Sequence, residues 1–228
     1  MKILAIETST MLGGVAVMDN NTLIAESRIN VRTTHSERLL TEIDHILSLS
    51  NLTIGDIDVF GIAIGPGSFT GLRVGLSTVK GLVYATGAKL VAVPSLEAFA
   101  WNGAFSPYPV CPLLDARRKE VYAGIFRWSG NDFAREMEER PIAMDDLLAG
   151  ITGTTLFLGE GAVIYGDMIR ERLQEKAVFG SPSQMVPSPA NTAHLALLKA
   201  GKEEFADPVS LSPLYIRRSE AEMKAEKA

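Results

Sequence analysis

A chain of 228 residues with 46% apolar and 21% charged residues has enough apolar material for a core, which excludes an intrinsically disordered protein and leaves one large or two small globular domains. No run approaches the roughly 18 apolar residues of a membrane span, and Glu7 interrupts the N-terminal stretch where a secretory leader stays apolar, so no membrane partner and a cytoplasmic location are expected. A net charge of −5 works against tight nucleic-acid binding by this chain alone, and the single Cys111 excludes an internal disulfide and reads as a small core residue.

Short apolar runs predict a strand over residues 2–8 and a second over 15–18. After the Asp19-Asn20-Asn21 turn comes a third over 22–29, a meander that makes the sheet mixed. Thr34 and Glu37 form a capping-box pattern ahead of Leu39, Leu40, Ile43, Ile46 and Leu47, which share one face of a helix over 35–50. A strand over 57–64 leads into a glycine-rich corner, residues 65–75, and then a helix over 76–84. A short strand over 89–93 follows, and Pro94-Ser95-Leu96-Glu97 opens a third helix ending near Trp101. Small residues and prolines between Asn102 and Pro109 mark a boundary. Beyond it come strands over 110–115 and 121–128, joined by the basic turn Ala116-Arg117-Arg118-Lys119, a short helix over 142–148, a strand over 156–158 and a helix over 161–173. Prolines 182, 187 and 189 mark a second linker, a helix over 191–200 returns to the first domain, and a charged tail closes the chain.

The order βββαβαβα resembles the half-domain of actin-like ATPases (the ASKHA fold). The resemblance implies an α/β protein of two domains, each on a mixed βββαβα-type sheet, the second truncated. The domains are expected at 1–104 with a return segment 190–228, and at 105–189. It also implies an acidic residue and hydroxyls near phosphate at the end of the first strand. Glu7, Thr8 and Ser9, with Gly65 and Gly67, are therefore candidates for a vestigial nucleotide site, with Glu standing where the pattern has Asp.

Four glycines in the eleven residues from Gly65 to Gly75 are costly at a helix start, because glycine loses the most backbone freedom on folding. Neither familiar phosphate loop fits. The third glycine of G-x-G-x-x-G comes one residue late, and no Gly-Lys-Ser/Thr occurs. The spacing leaves Gly67, Gly71 and Gly75 at i, i+4 and i+8, a helix face lowered for packing against a helix of this chain or of a partner, with direct phosphate contact as the alternative. Arg73 either meets an acidic partner or is solvated. His35, His45 and His194 lack metal-ligand spacing and no G-x-S-x-G elbow is present, so neither a catalytic residue nor a metal site is expected.

Four segments together resemble the TsaB family of bacteria: residues 3–9, His35-Ser36-Glu37-Arg38-Leu39-Leu40, the block from Gly65 to Gly75, and the terminal Pro213-Leu214-Tyr215-Ile216-Arg217-Arg218-Ser219-Glu220-Ala221-Glu222. The resemblance implies a non-catalytic partner in making N6-threonylcarbamoyladenosine at position 37 of tRNA. The partners it implies are a TsaD-like catalytic paralogue and a TsaE-like ATPase, with tRNA met only through the complex. The TsaD relatives carry an H-x-x-x-H metal motif where this chain has Ser95-Leu96-Glu97-Ala98-Phe99, and neither Ser95 nor Phe99 replaces an imidazole ligand.

The partner surface is expected at His35, Leu39, Ile43, Leu47, Gly67, Gly71, Arg73 and Gly75, with the alternative that Leu39, Ile43 and Leu47 cover the chain's own sheet, and a homodimer through the same seam stays open. So does ATP or ADP at a subunit interface. Arg117, Arg118, Lys119, Arg217 and Arg218 are either RNA contacts or solvated charge. The competing functions are an actin-like ATPase or kinase built on Glu7, and a glycoprotease-like metallopeptidase.

Overall fold

A computed structural model describes residues 1–29 and 35–216. The first sheet contains β1 (Lys2–Glu7), β2 (Gly13–Asp19), β3 (Thr22–Ile29), β4 (Val59–Ala63) and β5 (Lys89–Val93), in the order β3-β2-β1-β4-β5. The β1-β2-β3 meander is antiparallel, and β4 and β5 run parallel to β1. Alternation along β1 splits its side chains between two cores, as a period of two requires. Leu4 and Ile6 face α1 (His35–Leu49) and α2 (Phe69–Thr86), while Ile3 and Ala5 face α7 (Pro189–Gly201). Gly61 in β4 lets α7 lie close, since a Cβ there would stand 2.8 Å from Ala196 Cβ.

The second sheet repeats the plan with β6 (Val110–Arg117), β7 (Glu120–Trp128), β8 (Phe133–Ala143), β9 (Thr155–Leu158) and β10 (Ala177–Phe179), in the order β10-β9-β6-β7-β8. Three antiparallel strands are again extended by two parallel ones. The second half is shortened in its helices, not in its sheet: α4 (Met144–Gly150), α5 (Glu160–Ile164) and α6 (Gly166–Leu173) span seven, five and eight residues. Helix α3 (Ser95–Ala100) joins the halves.

Several expectations need correction. Strand β8 was not expected, because Phe133–Ala143 is rich in Glu and Arg and contains Pro141, the composition of a charged sheet edge. The three-residue edge strand β10 was also missed. The helix expected over 161–173 is two helices, divided at Tyr165, whose φ of −102° and ψ of 15° leave the helical basin. Helix α2 begins at Phe69, not Leu76, so Gly71 and Gly75 lie inside it. The Ser68 hydroxyl caps it by accepting from the Gly71 amide at 3.3 Å, and Gly87 ends it in the left-handed region at φ 73°. The capping box at Thr34 and Glu37 lies outside the residues whose side chains are described.

Candidate functional site

A cleft of about 730 Å³ opens between the two lobes. One wall is the segment after β1 and the start of α2, including Ser9, Thr10, Ser68 and Arg73; the other is the β6–β7 hairpin with Asp115, Arg117 and Arg118, together with Tyr122 and Glu160. The C-terminal segment Leu214 to Ile216 also lines it.

Of the five residues expected to contact nucleotide, only Ser9 and Gly67 line this cleft. Glu7 is fully buried behind the wall, where its Oε1 accepts the Ser9 amide at 2.6 Å. Burial pushes its pKa up, against the pull of the Ser9 hydroxyl and amide and of the Thr192 hydroxyl. The space between β1 and α2 is closed as well. The Ser68 amide donates to Ser9 O at 2.6 Å, a Cβ on Gly67 would overlap Ser9 O, and one on Gly75 would overlap Thr8 Oγ1. The glycines of α2 thus bring their helix against the chain's own first strand. Between Ser9 and Gly67 the chain's own backbone is in direct contact.

The residues expected to meet a partner divide the same way. Leu39, Ile43 and Leu47 are 3–6% exposed in the core beneath the first sheet, so of the two readings open to them they cover the protein's own sheet and not a partner. Gly67 and Gly75 face Ser9 and Thr8, and Gly71 is buried. The His35 side chain is outside the described set. Arg73 is exposed, but its guanidinium lies 3.8 Å over the Phe69 ring and its Nε donates to Tyr215 Oη at 2.8 Å. It therefore anchors the C-terminal segment to α2.

What α2 presents outward is a different stripe: Thr70, Arg73, Ser77, Gly81 and Tyr84 are exposed. Tyr84 is 94% exposed, and a Cβ on Gly81 would meet nothing within 4 Å. On α1, Leu40 and Leu49 are 60% and 67% exposed. On α2 periodicity places the exposed residues opposite the buried face; on α1 the exposure of Leu40 corrects its expected place in the apolar stripe, because it stands at the edge of the buried arc, with Leu49 at the opposite edge.

The α3 segment is occupied in its own way. Ser95 Oγ accepts the Gly65 amide at 2.9 Å, Glu97 pairs with Arg135 at 3.0 Å, and Phe99 is 1% exposed in an apolar cluster. Among the described residues, no group of three His, Cys, Asp or Glu side chains is placed to hold a metal ion.

Sequence reading missed Asp115 and Glu160 as cleft residues. The Asp115 amide donates to Glu160 Oε1 at 3.4 Å, and burial followed by the Asp115 charge raises the Glu160 pKa. Across the basic turn Arg117, Arg118 and Lys119 all have positive φ, 62°, 55° and 64°. Three non-glycine residues in the left-handed region cost on the order of 1 kcal/mol each. Arg117 and Arg118 line the cleft while Lys119 does not; Arg217 and Arg218 lie outside the described residues.

Two mixed sheets of one topology facing each other across a cleft define an α/β protein of the actin-like, ASKHA-type class. Component A of (R)-2-hydroxyglutaryl-CoA dehydratase from Acidaminococcus fermentans shares that fold at a TM-score of 0.55 and 12% identity, over 88% of this chain and 99% of that one. The family model for TsaD, tRNA N6-adenosine threonylcarbamoyltransferase, matches residues 24–225. The tRNA threonylcarbamoyladenosine biosynthesis protein TsaB of Bacillus subtilis is 33% identical over 98% of this chain and 97% of its own length, and the Escherichia coli TsaB 26% identical over 97% and 96%. The structure of YeaZ from Pseudomonas aeruginosa superposes at a TM-score of 0.80, with 22% identity over 94% of this chain and 99% of that one. The chain belongs to the TsaB family.

Proposed function

We propose that this chain is the non-catalytic partner subunit of the machinery that makes N6-threonylcarbamoyladenosine in tRNA, pairing with and activating a TsaD-like catalytic paralogue alongside a TsaE-like ATPase. Family membership supports the pathway. One observation carries the non-catalytic reading: the segment that stands where the catalytic relatives have their metal motif is taken up within the chain. Ser95 holds Gly65, Glu97 is paired with Arg135, and Phe99 is buried in an apolar cluster. The same contacts argue against the metallopeptidase alternative, and the full burial of Glu7 argues against the ATPase.

The paralogue docks on the outward faces of α1 and α2, where Leu40, Leu49 and Tyr84 stand clear of the protein's own core. Large apolar side chains presented to water are the usual centre of such an interface. Without the paralogue, a second copy of this chain takes the same face. A net charge of −5 leaves tRNA binding to the complex, and any ATP or ADP sits at the subunit interface, not on Glu7. Among the described residues no helix is long and apolar enough to cross a membrane, in keeping with work beside tRNA in the cytoplasm.

Reconstituting tRNA modification with purified TsaD and TsaE, with and without this chain, tests the reading. Modification should depend on the chain, and full activity in its absence overturns the proposal.

A further inference from the structure

Helix α3 is six residues long and belongs to two cores at once. Ala98 packs with Ile3, Val91 and Ala193 on the first lobe. Leu96, Phe99 and Ala100 instead pack with Val110, Leu114, Phe126 and Leu158 of the second lobe, and all three are 0–1% exposed. Phe99 sits so close to the second lobe that a Cβ on Gly159 would stand 2.9 Å from its Cε1.

Polar and aromatic contacts ring this apolar patch. Arg135 of β8 reaches Glu97 of α3 at 3.0 Å. Trp101, just after α3, packs edge-on against Trp128 and Phe133 of the second lobe and against His194 of α7, with ring centres 4.6–5.9 Å apart. Asn102 Nδ2 donates to Gln184 O and Val186 O at 3.0 and 2.7 Å on the returning chain.

Domains within one chain move relative to each other by default unless their interface is large and hydrophobic, because rotation must not strand apolar surface in water. Here rotation would pull Leu96, Phe99 and Ala100 out of the second lobe's core or Ala98 out of the first. We propose that α3 is a lock that fuses the two lobes into one rigid body, so that the cleft keeps a fixed width and whatever enters it binds without closing it. The consequence goes beyond the proposed pairing function. A recess of fixed shape selects its occupant by fit, and nucleotide binding has no lobe movement to drive.

The test is a distance measurement across the cleft in the whole chain. Spin labels are placed at Lys202→Cys, after α7, and at Glu171→Cys, on α6, both exposed positions. Cys111 is fully buried and burial raises its thiol pKa, so it stays unlabelled. Electron–electron double resonance should give one narrow distance. Two distances, or one broad distribution, overturn the lock.

Amide exchange in the unlabelled protein is an independent check that needs no variant. The hydrogen-bonded amides Ala98 to Ala100 should exchange as slowly as the slowest amides of β1 and β6. Exchange of α3 ahead of both sheets would mean that the lobes separate while each stays folded, and would overturn the proposal as well.

Discussion

Ser95 and Gly65 hold each other through a reciprocal pair of hydrogen bonds: the Gly65 amide donates to Ser95 Oγ at 2.9 Å and the Ser95 amide donates to Gly65 O at 2.8 Å. The pair ties the first turn of α3 to the corner that starts α2. Removing the hydroxyl strands a buried donor, which costs about 1–3 kcal/mol. Ser95→Ala should lower stability by that amount in urea denaturation, and an unchanged midpoint would show that the bond carries no weight.

The glycines of α2 should separate into two classes. A methyl on Gly75 has nowhere to go beside Thr8, so Gly75→Ala should destabilise by about 1–3 kcal/mol, the usual cost of overpacking. Gly81 faces open space within the same helix, so Gly81→Ala should stabilise by about 1 kcal/mol through helix propensity alone. Thermal unfolding of the two variants reads both signs, and equal effects would contradict the packing described.

The outward stripe gives a binding prediction. Tyr84→Glu places a charge at the most exposed large side chain on α2. It should change stability by no more than about 0.5 kcal/mol, as surface substitutions do. Pull-down of a TsaD-like paralogue should fall at least about tenfold, corresponding to roughly 1.4 kcal/mol at an interface. Normal capture by this variant would move the docking face elsewhere.

Stability should fall as pH rises from about 4.5 toward neutrality. Burial raises the Glu139 carboxyl from the ordinary 4.5 to about 7, despite the Arg135 guanidinium at 3.8 Å, with Glu97 and Glu138 adding like charge. Between those two values the folded state holds a proton that the unfolded state has released, so the slope of stability against pH is negative there and flattens above about 7. The loss across that window is at most about 3 kcal/mol. Glu7, also raised by burial, acts in the same direction. Glu139→Gln should therefore stabilise the protein at pH 8, change little at pH 5, and leave a shallower slope in urea denaturations run across that range.

Much of the first lobe was legible because β1, β2 and β4 are short apolar runs buried on both faces and the stripe Leu39, Ile43, Ile46 and Leu47 has helical period. Period alone does not say whose core a stripe enters, and it enters the protein's own. The start of α2 was misplaced because glycine weakens helices in isolation. Here Gly75 is required by the approach of Thr8, a contact between residues far apart in sequence that no local pattern records. Strand β8 escaped for the opposite reason: its charges suit an edge that only the assembled sheet creates. Asp115 and Glu160 meet only once β6 and β9 pair, so these two carboxylates of the cleft wall had no local signature.

Helix α7 also bears on how the chain is born. The whole second sheet, Val110 to Phe179, is encoded between α3 and α7, yet α7 covers the face of the first sheet that carries Ile3, Ala5, Val59, Val91 and Val93. From the end of α3 at Ala100 to the end of α7 at Gly201 the ribosome must add about a hundred residues, which takes on the order of 5–20 s at about 5–20 residues per second. Through that interval the nascent first sheet carries a bare apolar face while the second lobe has everything it needs to finish folding. Synthesis that stops short of α7 leaves that face permanently uncovered, a ready target for chaperones and proteases.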